Sequence, residues 1–478
     1  MEPIMRAESP SLAVEQENHS ENELALQGFP RQKLFLLSGD LGSILAAGLV
    51  MSLSAASPAA AVSSLLTVLV ISVICYPAAL YGFDMYNAER SFRHGDMIKR
   101  CLLATLLGGA VSALLSTVAG EYTIARGQPL HMAIVWVLFA GCRYAYSTLS
   151  QTALVKKAVL IVGAGDTGMA IYNVLCSPAS PYTVKGFVDD DDGASTAWAY
   201  PKIVGTTDRV TELAGNAGAA SVILAIPGDR SPRLTRSILR ARLQGTIIEE
   251  MADVYERLTG RVPVEHIQDE WLLSAEGFDI LHKAYIRHVK RFFDLVISGF
   301  LLLLTAPVIL VAGLLIRLDS AGPIFYTQER VGKDGRVFNV YKFRSMRVDA
   351  EEHGAQWAVG DDPRVTRVGK WLRLYRIDEL PQLWNVARGD MSLVGPRPER
   401  PEFVRLLEQR IPYYSLRHYV TPGITGWAQV TFRYASSVED GLNKLEADVY
   451  YIKNMSLLLD LKILLKTVGV VFLAQGSR

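Results

Sequence analysis

Between residues 364 and 400 the chain carries eight basic side chains, Arg364, Arg367, Lys370, Arg373, Arg376, Arg388, Arg397 and Arg400. Only four acids accompany them: Asp378, Glu379, Asp390 and Glu399. The whole chain is nearly neutral, with 49 Lys+Arg against 48 Asp+Glu. A local arginine excess suits phosphate groups or anionic lipid, because the guanidinium fork matches phosphate oxygens. Asp378 and Glu379 are adjacent within it. On a helix their side chains diverge by about 100°, so one carboxylate can face a phosphorus and the other a metal. An aspartate can act as a nucleophile and carry an acyl phosphate. A diphosphate needs Mg²⁺ and arginine to spread its charge. Mg²⁺ takes one or two carboxylates beside water and phosphate oxygens, which makes Glu379 the candidate ligand. An Asp-Glu pair alone carries little weight; the arginines and a neighbouring apolar segment give it meaning.

That segment is 295–316, 22 residues without a charge, long enough to span a bilayer. Lys290 and Arg291 precede it and Arg317 follows. Pro307 sits near its middle, where it removes a helix hydrogen bond. A nucleotide-dependent enzyme belongs in the cytoplasm, so a simple span would strand the last 160 or so residues on the wrong side. A helix over about 290–317 that enters, breaks at Ala306-Pro307 and leaves by the same face reconciles these facts.

Four more apolar segments lie at about 34–54, 62–83, 101–120 and 131–150, each near the length of a membrane helix. The first loop between them has no Lys or Arg, the second has Arg90, Arg93, Lys99 and Arg100, and the third only Arg126. Arg31 and Lys33 precede the bundle, and Lys156 and Lys157 follow it. The positive-inside rule then puts the tail and everything after residue 150 in the cytoplasm. Asp40 and Arg143 lie inside these segments and are expected to pair or snorkel within the bundle. Residues 1–33 read as a disordered polar tail, and 34–152 as a bundle of four transmembrane helices.

Residues 153–275 change character. The apolar run Lys157–Gly163 opens onto Gly163, Gly165 and Gly168, and a second run ends at Asp189. Strand before, helix after and an acid about 20 residues on give the dinucleotide-binding pattern. Strands alternating with helices imply a parallel α/β sheet of Rossmann-like type. No Tyr-x-x-x-Lys accompanies the glycines, so the module reads as a non-catalytic fold. A nucleotide held by Gly163, Gly165, Gly168 and Asp189 stays open.

Hydrophobic residues make up 50% and charged residues 20%, the composition of a membrane protein with water-facing parts. Near-neutrality argues against a nucleic-acid partner. Cys75, Cys101, Cys142 and Cys176 show no zinc-like spacing and read as small hydrophobes.

Residues 286–478 resemble the polyprenyl-phosphate glycosyl-1-phosphate transferases, or bacterial sugar transferases. The resemblance rests on Lys290-Arg-Phe-Phe-Asp294, the proline-bearing apolar segment and Tyr341-Lys-Phe-Arg-Ser-Met346. It continues in Ile377-Asp-Glu-Leu-Pro-Gln-Leu-Trp-Asn385, Gly389-Asp-Met-Ser-Leu-Val-Gly-Pro-Arg-Pro398 and Pro422-Gly-Ile-Thr-Gly-Trp-Ala-Gln429. Four helices, a Rossmann-like module and a mainly α monotopic catalytic domain (276–478) look like the large form of the family. The resemblance implies that Asp378 attacks the β-phosphorus of a UDP-sugar, releases UMP, and passes the phosphosugar to undecaprenyl phosphate. It implies Glu379 as the Mg²⁺ ligand and Arg373 and Arg397 as phosphate ligands. Lys342, Asp390 and Gln429 become further site members. It also implies a homodimer at the bacterial inner membrane, initiating exopolysaccharide, capsule or O-antigen synthesis. The donor expected from the large form is UDP-glucose or UDP-galactose. The competing reading is a membrane-bound NAD(P)-dependent enzyme that modifies a sugar nucleotide at the glycine loop.

Overall fold

The computed structural model describes residues 31–53, 58–86, 94–118, 122–149, 156–177, 180, 182–190, 202–228, 230–275, 277–278, 284–350, 362–432 and 438–472. Most of the polar tail lies outside them. Two compact units emerge, Met1–Ala153 and Leu154–Arg478.

In the first unit the described residues form α1 (Arg31–Leu53), α2 (Pro58–Gly82), α3 (His94–Val118) and α4 (Tyr122–Leu149). They fall on the four apolar segments, and α1 begins at Arg31, within the expected tail of residues 1–33. Gly95–Val118 is long and apolar enough to cross a membrane, whereas Leu34–Val50 and Leu69–Gly82 are shorter apolar stretches. Asp40 of α1 and Arg143 of α4 are buried and form an ion pair. Arg143 Nη2 donates to Asp40 Oδ2 at 2.7 Å, and the Tyr86 hydroxyl donates to the same oxygen at 2.5 Å. The pairing expected from their position is therefore present, and it removes the cost of isolated charge among apolar helices. Cys75 and Cys101 are buried, while Cys176 is exposed rather than part of a core.

The second unit opens with a parallel sheet of β1 (Lys157–Val162), β2 (Tyr182–Val188), β3 (Ile203–Gly205), β4 (Ser221–Leu224) and β5 (Ile247–Glu250). Their spatial order is β3-β2-β1-β4-β5, so the order reverses between β1 and β4. Alternation along β1 explains the two-sided core. Val159 and Ile161 pack with α5 (Asp166–Leu175) and α8 (Met251–Thr259). Leu160 and Val162 pack with α6 (Val210–Asn216) and α7 (Pro232–Leu243). A strand covered on both faces is apolar, as this one is from Ala158 to Val162.

After the short α9 (Asp269–Ser274) comes α10 (Ala284–Asp319), 36 residues long. The expected break at Ala306-Pro307 is absent: α10 stays helical through Pro307. A proline forfeits its own N–H bond and crowds the preceding turn, which bends a helix without having to interrupt it. Arg287–Asp319 is the second described helix apolar and long enough to cross a membrane. Its outward face is strongly exposed, with Leu303 at 77%, Leu310 at 74% and Leu318 at 74%.

Both ends of α10 are tied to the body that follows. Near its start Lys290 Nζ pairs with Asp460 at 2.6 Å, and Asp294 Oδ1 accepts the Leu393 N–H at 3.0 Å. Near its end Arg344, 5% exposed, donates to the carbonyls of Ser320 at 2.7 Å and Ala321 at 2.8 Å. The guanidinium thus satisfies carbonyls that a helix C-terminus leaves open. Ala312 and Ile316 of α10 share a small core with Phe343 and Leu372.

The body comprises the antiparallel hairpin β6 (Phe325–Val331) and β7 (Val337–Phe343), then α11 (Arg367–Leu374), α12 (Gln382–Arg388) and β8 (Ser392–Val394). There follow α13 (Pro401–Glu408), β9 (Gly423–Thr425), α14 (Trp427–Thr431), α15 (Val438–Lys453) and α16 (Leu457–Phe472). Strands β8 and β9 pair in parallel, joining the Gly-Pro-Arg-Pro and Gly-Ile-Thr-Gly-Trp motifs. A Cβ at Gly426 would lie 2.2 Å from the Gly395 carbonyl oxygen, so glycine is needed at that crossing. The sheet module docks on the body: Lys453 Nζ pairs with Glu256 at 2.6 Å, and Trp427 Nε1 donates to the Gly260 carbonyl at 2.8 Å.

Candidate active site

Asp378 and Glu379 sit on one 3₁₀ turn, Ile377–Glu379, between α11 and α12. With three residues per turn their side chains diverge by about 120°. Arg376, just before the turn, takes a left-handed backbone at φ 58°. A non-glycine residue held there stores strain, and such positions gather at functional sites. What holds the turn is the packing on either side. On α11, Thr366 caps the helix by accepting the Gly369 N–H at 3.0 Å. On α12, buried Asn385 accepts the Tyr341 N–H at 3.0 Å and donates to the Asn339 carbonyl at 2.7 Å. Its side chain thereby stitches α12 to β7.

Glu379 is spanned by Arg397, whose Nη2 donates to Oε1 at 2.7 Å and Nη1 to Oε2 at 3.3 Å. Arg376 Nη1 reaches the same carboxylate at 3.2 Å. Burial would raise the Glu379 pKa, but Arg397, Arg376 and Lys342 overcome it and hold the carboxyl well below its ordinary range. Asp378 is different. It is 8% exposed, and its Oδ1 is buried with no hydrogen-bond partner. Burial, with the neighbouring charge of Glu379, pushes its carboxyl up to about 6 against the pull of Lys342, Arg373 and Arg376. Lys342, on β7, is lowered to about 8 by burial and Arg397. The site therefore holds an ionised, arginine-bound carboxylate beside a desolvated one with an open oxygen.

The geometry gathers Asp378, Glu379, Arg397, Arg373 and Lys342. Arg373 Nε donates to Ser345 Oγ at 3.0 Å, which fixes it against the Tyr-Lys-Phe-Arg-Ser-Met loop. Asp390 lies instead with Asn385 and with Arg388, whose Nε is 3.3 Å away. Gln429 donates to the Ile424 carbonyl at 2.8 Å, and its Oε1 is buried without a partner. Ser345 belongs to a quoted motif and Arg376 to the basic cluster, yet sequence reasoning assigned neither an individual role. The signal for Arg376 was its place immediately before the Ile-Asp-Glu turn. Pro307 lies within α10.

In the sheet module Gly163 has φ 104°, and a Cβ at Gly168 would fall 2.0 Å from the Gly163 carbonyl oxygen. Asp189 Oδ2 accepts the Ala164 N–H at 2.6 Å. The pattern residues are thus brought together; Gly165 caps α5, its carbonyl accepting the Met169 N–H at 3.0 Å, and a Cβ there would meet nothing.

Comparison with known proteins identifies the body. The bacterial sugar transferase family model matches residues 285–474. A UDP-glucose:undecaprenyl-phosphate glucose-1-phosphate transferase of Caulobacter vibrioides is 45% identical over 181 residues, 37% of this chain and 68% of that protein. The chain belongs to the bacterial sugar transferase family. Two other relatives extend the likeness. An Aeromonas hydrophila UDP-N-acetylgalactosamine-undecaprenyl-phosphate N-acetylgalactosaminephosphotransferase is 44% identical over 51% of this chain and 56% of its own length. An undecaprenyl-phosphate glucose phosphotransferase of Komagataeibacter xylinus is 35% identical over 72% of this chain and 65% of its own. The chain thus spans less than two thirds of either relative. The family match covers the dyad, Arg373, Arg397, Lys342, Asp390 and Gln429, and leaves the sheet module and the first four helices outside it.

Proposed function

We propose that this family member transfers a hexose 1-phosphate from a UDP-sugar to undecaprenyl phosphate, through a phosphosugar carried on Asp378. The observation that carries the reading is the open, buried Oδ1 of Asp378 beside an arginine-bound Glu379. Asp378 attacks the β-phosphorus, and the bond to UMP breaks with its electrons leaving on UMP. An oxygen of undecaprenyl phosphate then attacks the same phosphorus, and the Asp378 carboxylate leaves. At neutral pH a carboxyl near 6 is mostly ionised and still poorly solvated, which favours attack. Arg373, Arg397 and Lys342 stabilise the charge that develops on the phosphoryl oxygens.

The donor set fits Mg²⁺. Glu379 and the unpartnered Asp378 Oδ1 are hard oxygen donors. Among the described residues no group of three or more metal-binding side chains gathers, as suits an ion completed by substrate oxygens and water. Glu379 would hold the ion with Asp378 beside it, and Mg²⁺ when bound neutralises the diphosphate.

We read α10 as re-entrant, bent at Pro307 rather than broken there. What supports this is that both its ends are fastened to one body while its outer face is apolar and exposed. The four N-terminal helices are read as membrane spans, with the body at the cytoplasmic face of the bacterial inner membrane. There UDP-sugar and a headgroup-level lipid phosphate meet. The sheet module is read as Rossmann-like and non-catalytic, and the protein as a homodimer that starts exopolysaccharide, capsule or O-antigen synthesis. UDP-glucose or UDP-galactose is the proposed donor. The relatives' names make UDP-N-acetylgalactosamine the comparison to run, and give no support to a dehydrogenase-type alternative.

The test is UMP release from a panel of UDP-sugars by the purified protein, with Mg²⁺ and undecaprenyl phosphate. UMP from one donor, lost in Asp378→Asn, is the expected result. Full activity in that variant would remove Asp378 from the nucleophile role.

A further inference from the structure

The segment Arg397-Pro398-Glu399 belongs to no helix or strand, yet it must aim the guanidinium that grips Glu379. Its three successive carbonyls each receive a donor, two from β6 and one from a segment farther along the chain. Arg417 Nη2 donates to the Arg397 carbonyl at 2.9 Å, Arg330 Nη1 to that of Pro398 at 3.1 Å, and the Val331 N–H to that of Glu399 at 2.9 Å. Arg330 and Val331 lie on β6. Arg417 comes from the 3₁₀ segment Tyr414–Tyr419, remote in sequence from the dyad.

Arg417 is itself fully engaged. It is 5% exposed, and its Nη1 donates to the Tyr414 hydroxyl. Its Nη2 lies 2.8 Å from Asp448 Oδ2 on α15, and Asp448 is 1% exposed. That carboxylate oxygen is without a well-aligned donor, so the contact is charge to charge, while the N–H is spent on the Arg397 carbonyl. Glu399 faces the same group, with Arg330 at 3.5 Å and Lys444 at 4.0 Å on its carboxylate. An arginine buried this deeply needs a counter-charge, and Asp448 and Glu399 supply it.

We propose that Arg417, anchored by Asp448 and Tyr414, is a positioning residue that fixes the Arg397 main chain so that its guanidinium is presented to the donor's phosphates. Neither Arg417 nor Asp448 touches the dyad in any described hydrogen bond or ion pair. Their effect passes through Arg397. A group held from behind in this way loses little orientational freedom on binding, which is where affinity is won. The inference rests on Arg397 being a phosphate ligand, as proposed above.

The test is a double-mutant cycle on the full-length protein in lipid nanodiscs, with UDP and uridine as the two probes. Arg397→Lys and Asp448→Asn are each expected to weaken UDP about tenfold or more, the worth of a charge-assisted hydrogen bond. Uridine affinity is expected to stay within about twofold, because uridine lacks the phosphates. The double variant should bind UDP no more weakly than Arg397→Lys alone, since both changes disable one guanidinium. Losses that multiply, or an equal loss of uridine and UDP, would overturn the proposal and leave Asp448 a purely structural residue. Tyr414→Phe retains the Arg417–Asp448 pair and guards against misfolding of Asp448→Asn. It should weaken UDP about threefold with uridine unchanged, and unaltered UDP affinity there would also overturn the proposal. A wild-type protein that binds UDP no better than uridine would instead refute Arg397 as a phosphate ligand.

Discussion

Replacing Asp378, the proposed nucleophile, should make the protein more stable as well as inactive. Burial beside Glu379 raises the Asp378 carboxyl from 3.8 to about 6. A carboxyl raised on folding contributes stability that is complete below its unfolded pKa and is lost as pH rises through the folded one. At pH 8 the folded wild type therefore carries a carboxylate that the unfolded chain would solvate better. Each tenfold difference in proton affinity is worth about 1.4 kcal/mol, so the penalty is about 2–3 kcal/mol at pH 8. Asparagine keeps the shape and removes the charge, but it turns amide hydrogens toward Lys342 and Arg373. The net gain expected for Asp378→Asn is then about 1–2 kcal/mol. Thermal unfolding in detergent, followed from pH 5 to pH 8 for both proteins, isolates the effect. Other raised carboxyls, Asp448 at about 6 and Glu446 at about 7, titrate in both and cancel in the difference. The variant should be the more stable at pH 8, and the gap should close toward pH 5. A variant less stable than wild type at pH 8, or a gap independent of pH, would refute the account of Asp378 as a desolvated carboxylate.

Three further outcomes follow from the same geometry. UMP formation, measured as kcat/KM, should fall about tenfold per pH unit below pH 6, because a protonated Asp378 cannot attack; a flat acid limb would count against it. Arg287→Cys and Ala321→Cys, exposed positions flanking the apolar face of α10, should both react with an impermeant maleimide from the cytoplasmic side in a Cys176→Ser background. Labelling from opposite sides would establish a span. Gly426→Ala should destabilise the protein by about 2 kcal/mol or more and abolish activity, since its methyl group would meet the Gly395 carbonyl oxygen at 2.2 Å; a wild-type melting temperature would show that the β8–β9 crossing can spread.

The sequence displayed what depends on residue type and local spacing. Apolar run lengths located all four N-terminal helices, and the glycine pattern after β1 located a parallel sheet. The dyad stood out through the arginines around it. Side-chain roles that depend on long-range closure were not legible. Arg417 and Asp448 are 31 residues apart in sequence and meet only when α15 packs on the 3₁₀ segment. Arg344 stood only as a member of the Tyr-Lys-Phe-Arg-Ser-Met motif, and only the fold turns it onto the end of α10. Asp390 and Gln429 were grouped with the dyad because their motifs carry the resemblance. The structure gives each its own partners, Asn385 and Arg388 for one and the Ile424 carbonyl for the other.

The proline in α10 shows why a break is the wrong unit of inference. A single lost N–H bond does not force the chain out of helix, because the flanking bonds on either side remain. What decides whether the segment crosses is where its ends are held. Between Asp294 and Ile316 a straight helix would extend about 33 Å, the thickness of a bilayer core. Asp294 is bonded to Leu393 and Ile316 packs on Phe343 and Leu372, and all of these belong to one compact unit. On the proposed re-entrant reading, an apolar helix held at both feet places those feet at headgroup depth. Charged Arg373 and Arg397 can then meet a lipid phosphate without entering hydrocarbon, where each would be costly. On that reading the motifs Lys-Arg-Phe-Phe-Asp and Tyr-Lys-Phe-Arg-Ser-Met supply the two feet, with Lys290, Asp294 and Arg344 as the fastening.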